Sequence, residues 1–345
     1  MIYKNAELYN IEEMERIEEP SGYLLNRIPG ALRAKLNEKA QKTAFDGCGC
    51  EIRFNIDGES VKVVLARMPD DNKIRKGIAE IYHGSFQASY QESPRIIGSQ
   101  LVTIEVHKPD KLSLLEKLTH ERNLPFDPNL TRIILPYDWR YCLLDIQGAC
   151  SPPKPEQTPK RRLLSYGSSI THGGTAVRPT GTYAMRLARL LKTDLINLGF
   201  AGSALLDEEL ATYIAGRKDW DLATIELGIN VVHSWSVAEF KRKVDYFIST
   251  IAEQNQDKWI FCIDMFTFSM DFTNNPKAAD FRVVVKEKVQ SLNLPKLVYI
   301  SGQDLLTQVT GLSADLLHPA EDGMEEIANN LYKKIISYQG NEAIS

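Results

Sequence analysis

The fold is decided by one stretch of the sequence, Arg162-Leu-Leu-Ser-Tyr-Gly-Ser-Ser-Ile-Thr-His-Gly-Gly174. Its first residues form a short apolar run that predicts a buried strand over 162–166. The serines and glycines that follow predict a loop, and the apolar spacing beyond it predicts a helix over 183–191. A strand that leads through a polar loop into a helix is the repeating unit of a parallel sheet.

The same alternation of strand and helix continues toward the end of the chain. Further strands are predicted at 194–198, 222–227, 259–265 and 297–300, and further helices at 240–251, 278–292 and 323–336. This alternation predicts an α/β fold, in which a parallel sheet carries helices on both faces. In such sheets the reactive side chains lie on loops that follow the carboxyl ends of the strands.

The residues before this region follow a different pattern, with a period of two. Apolar and polar residues alternate over 51–56, 61–65 and 102–106, and the pair Asp57-Gly58 turns the chain between the first two runs. Short strands between turns predict an all-β sandwich, with one helix near 29–40. Residues 151–162 contain four prolines and no apolar residue, which predicts a linker. We therefore expect a sandwich domain over 1–150, the linker 151–162 and an α/β domain over 163–340.

Composition excludes several classes of function. The 345 residues include 41 basic and 45 acidic side chains, and the net charge of −4 argues against a nucleic-acid partner. No apolar run approaches the length of about 18 residues that a membrane-spanning helix needs, and the acidic first twenty residues do not resemble a secretory signal. The five scattered cysteines predict reduced thiols, and with them a cytoplasmic protein.

Ser169 lies in the first loop of the α/β region and is a candidate nucleophile. A tight turn there would expose its hydroxyl above the sheet edge, but a serine attacks a carbonyl only when a neighbouring base takes its proton. A plain polar loop with a helix-capping serine would show the same residues. The loop also departs from the G-x-S-x-G turn of the α/β-hydrolases, because Thr171 stands at the position of the last glycine.

The last loop, Asp315-Leu-Leu-His-Pro319, contains a candidate base. His318 would deprotonate Ser169, and Asp315 would hold the imidazole in the required tautomer. The alternative is a turn-capping aspartate beside a surface histidine.

Two intervening loops offer hydrogen-bond donors. Gly199 and Gly202 let backbone N–H groups approach a ligand closely, and Asn230 follows the strand at 222–227. A backbone N–H and an asparagine amide are the usual donors of an oxyanion hole. The alternative is that the glycines only turn the chain and Asn230 caps an element. The chain lacks the G-x-G-x-x-G and P-loop patterns of nucleotide sites.

Taken together, the segments 167–170, 197–202, 228–230 and 315–319 resemble the four sequence blocks of the SGNH hydrolases, also called GDSL lipases/esterases. The resemblance covers about 161–339 and implies Ser169, Asp315 and His318 as a catalytic triad. It implies the N–H groups of Ser169 and Gly202 and the amide of Asn230 as the oxyanion hole. It also implies a flavodoxin-like three-layer hydrolase domain. The strand-rich region ahead of it resembles the jelly-roll-like sandwich of a two-domain subset that includes carbohydrate esterases and acyltransferases.

The chain departs from the family pattern at two positions. Ser168 replaces the signature aspartate before the nucleophile, and Val231 replaces the aspartate that often follows the block asparagine. The first aspartate is not a triad member in this family, so hydrolysis remains the expectation.

Two histidines and two aromatic residues could also contact a substrate. His172 and His233 lie in the loops of Ser169 and Asn230 and could touch substrate, although solvated loop histidines are commoner. Tyr137 and Trp139 could stack on a sugar, but aromatic residues in a sandwich are more often core. No metal site and no cofactor are expected, because ligand spacings such as H-E-x-x-H are missing from the sequence.

We therefore predict a serine esterase that hydrolyses short-chain acyl esters, with acetyl or a similar group on a carbohydrate or small molecule. One alternative is an acyltransferase that uses the same triad, and another is a non-catalytic carbohydrate-binding protein. We expect no nucleic-acid or membrane partner, and a homo-oligomer stays open.

Overall fold

The structure is a computed structural model that describes residues 1–68, 77–98 and 101–340. Its strands within these ranges are β1 Ile2–Tyr3, β2 Ala6–Tyr9, β3 Glu13–Ile17, β4 Gly22–Asn26, β5 Glu51–Ile56, β6 Ser60–Arg67, β7 Gly77–His83, β8 Phe86–Gln87, β9 Arg95–Ile97, β10 Val102–His107, β11 Leu130–Ile134, β12 Tyr141–Gln147, β13 Cys150–Ser151, β14 Arg162–Gly167, β15 Asp194–Gly199, β16 Leu222–Glu226, β17 Trp259–Ile263 and β18 Leu297–Ile300. Its α-helices there are α1 Gly30–Arg33, α2 Glu38–Thr43, α3 Leu112–Arg122, α4 Ser169–His172, α5 Tyr183–Leu190, α6 Glu208–Gly216, α7 Val237–Glu253, α8 Lys277–Leu292 and α9 Glu321–Gln339.

The amino-terminal half is an antiparallel sandwich, as the alternating pattern predicted. One sheet runs β1-β2-β5-β11-β7-β8, with β13 and β9 paired to β5 and β7, and the other runs β10-β6-β12-β4-β3. Apolar residues such as Phe54 and Val63 are fully buried in the same core cluster. The Asp57-Gly58 turn passes the chain from the first sheet to the second, so β5 and β6 do not pair with each other.

The helix expected near 29–40 is two short helices, α1 and α2. Asn37 separates the two helices with an extended backbone. Its side chain accepts a hydrogen bond from the N–H of Ala40 and so caps the start of α2 as a separate helix. Three further helices, α3, α4 and α6, were not predicted. Helix α3 has no buried residue, so it carries no apolar stripe that a sequence pattern would reveal.

The carboxyl-terminal half is a three-layer α/β fold. The parallel strands run in the order β15-β14-β16-β17-β18, which is the flavodoxin-like order 2-1-3-4-5 in chain sequence. One face of the sheet packs against α6, α7 and α8, and the other against α5 and α9. All strands and helices predicted after residue 162 are present. Because both faces are covered, the strands are buried almost throughout.

Buried charged side chains of β5, of β11 and of the segment after β4 join the sandwich region to the α/β layers. Arg53 of β5 binds Asp194 of β15 through two bonds of 2.6 and 2.7 Å. Glu51 bridges Arg53 and Arg132 at the same buried surface. Arg27 donates to the carbonyl oxygens of Asn197 and Gly199 at 3.0 Å each. The sandwich therefore holds the end of β15, from which one of the site loops begins.

The proline-rich segment lies against the sandwich. Ser151 belongs to β13, and buried Gln157 exchanges hydrogen bonds of 2.7 and 3.0 Å with Asn55. The domain boundaries at 150 and 162 stay predictions. All five cysteines are free and buried. Among the described residues, no helix is both long and apolar enough to cross a bilayer.

Candidate active site

Ser169 is the first residue of α4, directly after β14. Ser168 caps this helix, and its hydroxyl accepts from the N–H of Ile170 at 3.2 Å. A Cβ at Gly167 would overlap Thr171 and Glu226, so the turn closes only with glycine there. This tight turn presents Ser169 at the carboxyl edge of the sheet, where it is half-buried.

Asp315, His318 and Ser169 form a continuous chain of hydrogen bonds. Ser169 Oγ lies 2.8 Å from His318 Nε2, and His318 Nδ1 lies 2.7 Å from Asp315 Oδ2. Because the carboxylate accepts the Nδ1 proton, Nε2 presents its lone pair to the serine hydroxyl. The arrangement can therefore move a proton from Ser169 to His318.

Asp315 is held as an anion by its own loop. Its Oδ1 accepts from the N–H groups of Leu317 and His318 at 2.9 Å each and from the hydroxyl of Ser313 at 2.7 Å. Burial acts to raise the pKa of Asp315, but the hydrogen bonds from His318 and from these loop groups outweigh it and hold the pKa well below its ordinary value. A permanently ionised carboxylate can stabilise an imidazolium beside it.

The predicted donors Gly202 and Asn230 lie on adjoining loops. Asn230 Oδ1 accepts from the N–H of Ala204 at 3.0 Å, which fixes the amide and leaves its NH₂ group as donor. Gly202 adopts a left-handed conformation with φ of 62°. Within the described chain, the N–H groups of Gly202 and Ser169 donate to no backbone acceptor. The Asn230–Ala204 hydrogen bond thus joins the two loops. The N–H groups of Ser169 and Gly202 and the NH₂ group of Asn230 remain available, among the described residues, to donate to a ligand.

Glu226 is a residue that the sequence analysis missed. It ends β16 beneath the serine loop, fully buried, and its Oε2 accepts from Ser168 N–H at 2.6 Å and from the Thr171 hydroxyl at 3.1 Å. Burial raises the pKa of its carboxyl despite these bonds. A carboxylate from a neighbouring strand thus binds the backbone at Ser168, the position where the family has its aspartate. An acidic residue inside the apolar run 222–227 was the available signal.

Lys39 was also missed. Its ammonium, carried by α2 of the sandwich, lies so close to Gly202 that a Cβ on the glycine would overlap it. Sequence offered no signal for this contact, because Lys39 is one of many exposed lysines.

The remaining candidates lie away from the serine hydroxyl. His172 is fully buried, and its Nδ1–H donates to the carbonyl of Gly199 at 3.0 Å, so it supports β15 from within. Its Nε2 lies 3.7 Å from Asp46 Oδ2 and 3.9 Å from Asp138 Oδ1, and all three side chains make further interactions. His233 is exposed, with an edge-to-face contact to Phe268.

The two aromatic candidates for sugar stacking are engaged within the protein. Trp139 is buried, and the guanidinium of Arg67 lies 3.5 Å from its ring centroid. Tyr137 donates its hydroxyl to the carbonyl of Ala176 at 2.8 Å. Trp139 is therefore a core residue and is not exposed for stacking on a sugar.

Comparison with known proteins shows the family to which the chain belongs. The family model of the GDSL-like lipase/acylhydrolase family matches residues 160–337, more than half of the chain. The protein is thus a hydrolase by class. The chain belongs to the GDSL-like lipase/acylhydrolase family, which confirms the predicted resemblance. No curated protein sequence matches it significantly.

Solved structures share the complete architecture at low sequence identity. The salicylyl-acyltransferase SsfX3 of a tetracycline biosynthetic pathway matches with a TM-score of 0.78 and 14% identity, over 99% of this chain and 96% of that one. A protein from Bacteroides ovatus described as a GDSL-like lipase matches with a TM-score of 0.68 and 18% identity, over 96% and 97%. A family two carbohydrate esterase from Cellvibrio japonicus matches with a TM-score of 0.62 and 13% identity, over 99% and 96%. These likenesses confirm the fold, including a sandwich ahead of the hydrolase layers.

Proposed function

We propose that the protein is a serine esterase that hydrolyses short-chain acyl esters of a carbohydrate or small molecule. The observation that carries the proposal is the hydrogen-bonded chain from Ser169 through His318 to Asp315, with distances of 2.8 and 2.7 Å. A serine, a neutral imidazole and an oriented carboxylate in this order are the parts of nucleophilic acyl transfer.

The reaction begins when Ser169 Oγ attacks the ester carbonyl while its proton passes to His318 Nε2. The negative charge that develops on the carbonyl oxygen meets the N–H groups of Ser169 and Gly202 and the amide of Asn230. When the carbon–oxygen bond breaks, the imidazolium returns the proton to the leaving alcohol.

Water then releases the acyl group. His318 removes a proton from the attacking water, the carbon–oxygen bond to Ser169 breaks, and the serine oxygen takes the proton back. Asp315 remains ionised throughout and stabilises the imidazolium in both halves of the reaction.

The full-length likeness to the salicylyl-acyltransferase favours one second candidate. An alcohol could replace water in the second half of the same mechanism, and the product would be a new ester. The carbohydrate esterase neighbour supports hydrolysis and a sugar-borne acyl group.

Hydrolysis of 4-nitrophenyl acetate, butyrate and octanoate tests the proposal. We expect activity that falls with acyl length and is lost in Ser169→Ala, while Ser234→Ala, an exposed serine on the Asn230 loop, keeps it. A fluorophosphonate should label Ser169 alone. Absence of both hydrolysis and labelling in the wild-type protein would contradict the proposal. Adding a sugar or another alcohol and analysing the products separates transfer from hydrolysis.

A further inference from the structure

The sandwich places a cation at the edge of the proposed oxyanion hole. The Nζ and Cε atoms of Lys39 are the nearest neighbours of the position that a Cβ on Gly202 would occupy. Lys39 belongs to α2 of the sandwich, whereas Gly202 lies on the loop after β15 of the parallel sheet. The proposed active site is therefore built from both parts of the chain.

Helix α2 is fixed against this loop at both ends. At its start, Asn37 Nδ2 donates to the carbonyl of Ser203 at 3.1 Å and to Asp207 Oδ2 at 2.9 Å. At its end, buried Arg27 donates to the carbonyls of Thr43 at 2.8 Å and Gly199 at 3.0 Å. The position of the Lys39 backbone relative to Gly202 is thus set by hydrogen bonds across the junction.

The ammonium of Lys39 has no ion pair with a carboxylate among the described residues. Asp207, an acidic residue bonded to the start of this helix, accepts from the backbone and the side chain of Asn37 instead. Glu38, the adjacent acidic residue, is exposed. The exposed Lys39 ammonium lies beside the proposed site and forms no ion pair among the described residues, so it is available to an anionic group of a ligand.

We infer that Lys39 forms an anion-binding subsite, so that the preferred ester carries a negatively charged group close to the reacting carbonyl. This inference rests on the proposed function and extends it to the class of substrate. The ammonium would pair with a carboxylate or phosphate oxygen of the bound ester while the Gly202 N–H binds the carbonyl oxygen. The contact supplies specificity, and it leaves the chemistry of Ser169 and His318 as described.

The experiment compares matched charged and neutral esters. One pair, 4-nitrophenyl butyrate and mono-4-nitrophenyl succinate, has four acyl carbons in both esters and differs by a carboxylate in place of the terminal methyl group. The other, methyl 4-acetoxybenzoate and 4-acetoxybenzoate, differs by a carboxylate on the alcohol side. The quantity measured is the ratio of kcat/KM for the charged ester to that for the neutral one. It is determined for wild type, Lys39→Met, Lys39→Arg and the control Lys35→Met, which removes an exposed lysine that precedes α2.

We expect the ratio to fall roughly two- to fivefold in Lys39→Met for one of the two pairs, since an exposed ion pair contributes up to about this factor. Lys39→Arg should retain most of the preference, and the wild-type preference should weaken at high ionic strength. The pair that responds identifies the side of the ester that bears the charge.

Three results overturn the inference. Equal ratios in wild type and Lys39→Met for both pairs would show that Lys39 does not contact the anion. An equal fall in Lys35→Met would show a general effect of net charge. If the wild-type protein hydrolysed none of the four esters faster than Ser169→Ala does, the result would contradict the proposed function and, with it, the anion-binding subsite.

Discussion

Arg53 and Asp194 form a buried bidentate ion pair that joins the sandwich to the parallel sheet, with N–O distances of 2.6 and 2.7 Å. Their side chains are only 1% and 5% exposed. Without Asp194, the buried guanidinium groups of Arg53 and Arg132 would share the one buried carboxylate of Glu51, with half-buried Glu7 3.6 Å from Arg53. The junction would then hold an excess buried positive charge, which costs more than an exposed pair contributes.

We therefore expect Asp194→Ala to lower the free energy of unfolding by about 3–5 kcal/mol, measured by urea denaturation. The control is Asp304→Ala, which breaks the exposed ion pair with Lys334 and should cost less than about 1 kcal/mol. Similar losses in the two variants would show that the junction does not depend on this pair.

Buried His83 should make the stability of the fold depend on pH. Burial lowers the pKa of its imidazole to about 4, below the ordinary value of 6.5. The folded protein therefore keeps His83 neutral, while the unfolded chain binds a proton as soon as the pH falls below about 6.5. The stabilisation is present above pH 6.5, declines between about pH 6.5 and 4, and changes no further below that range.

Replacing His83 by Gln should flatten this decline by up to about 3 kcal/mol, measured by urea denaturation at several pH values. His107→Gln, at an exposed histidine, should leave the decline in place. An unaltered pH profile in His83→Gln would assign the acid sensitivity to other groups.

Asn230 should contribute chiefly to transition-state binding. Its carbonyl oxygen is occupied by Ala204 N–H, so Asn230→Ala removes the amide donor. We expect kcat to fall about 10²–10³-fold with little change in KM, because the oxyanion exists only in the transition state. An unchanged kcat for 4-nitrophenyl acetate would show that Asn230 is not an oxyanion donor.

Glu226 should act as a positioning residue for the nucleophile turn. In Glu226→Ala the Ser168 N–H loses its buried acceptor, which should lower the free energy of unfolding by about 1–3 kcal/mol and reduce kcat. Glu226→Gln retains an amide oxygen at this place and should recover most of kcat. Loss of stability with kcat unaffected in Glu226→Ala would limit the residue to a structural role.

Much of the candidate site could be predicted from the sequence. Parallel strands end at one edge of their sheet, so the loops after residues 166 and 227 had to lie at the same edge. This placed Ser169 and Asn230 at the same edge. Only the structure gave the strand order that makes β14 and β16 neighbours. The spacing of Asp315 and His318 in the last loop offered a base and its orienting carboxylate, and the family resemblance then implied the triad. The positions of His172 and Trp139 were harder to predict, because a polar or aromatic residue in a loop does not reveal its own burial.

The sequence by itself determined the class of fold, the family and the residues that form the hydrogen-bonded chain to Ser169. These depend on local periodicity and on short motifs, which can be recognised within a few neighbouring residues. Only the tertiary structure decided that Glu226 binds the Ser168 turn, that Arg53 pairs with Asp194 and that Lys39 reaches Gly202. Periodicity shows which side of a strand or helix is buried. It does not show what that side contacts, because a contact between distant segments depends on how complete layers pack.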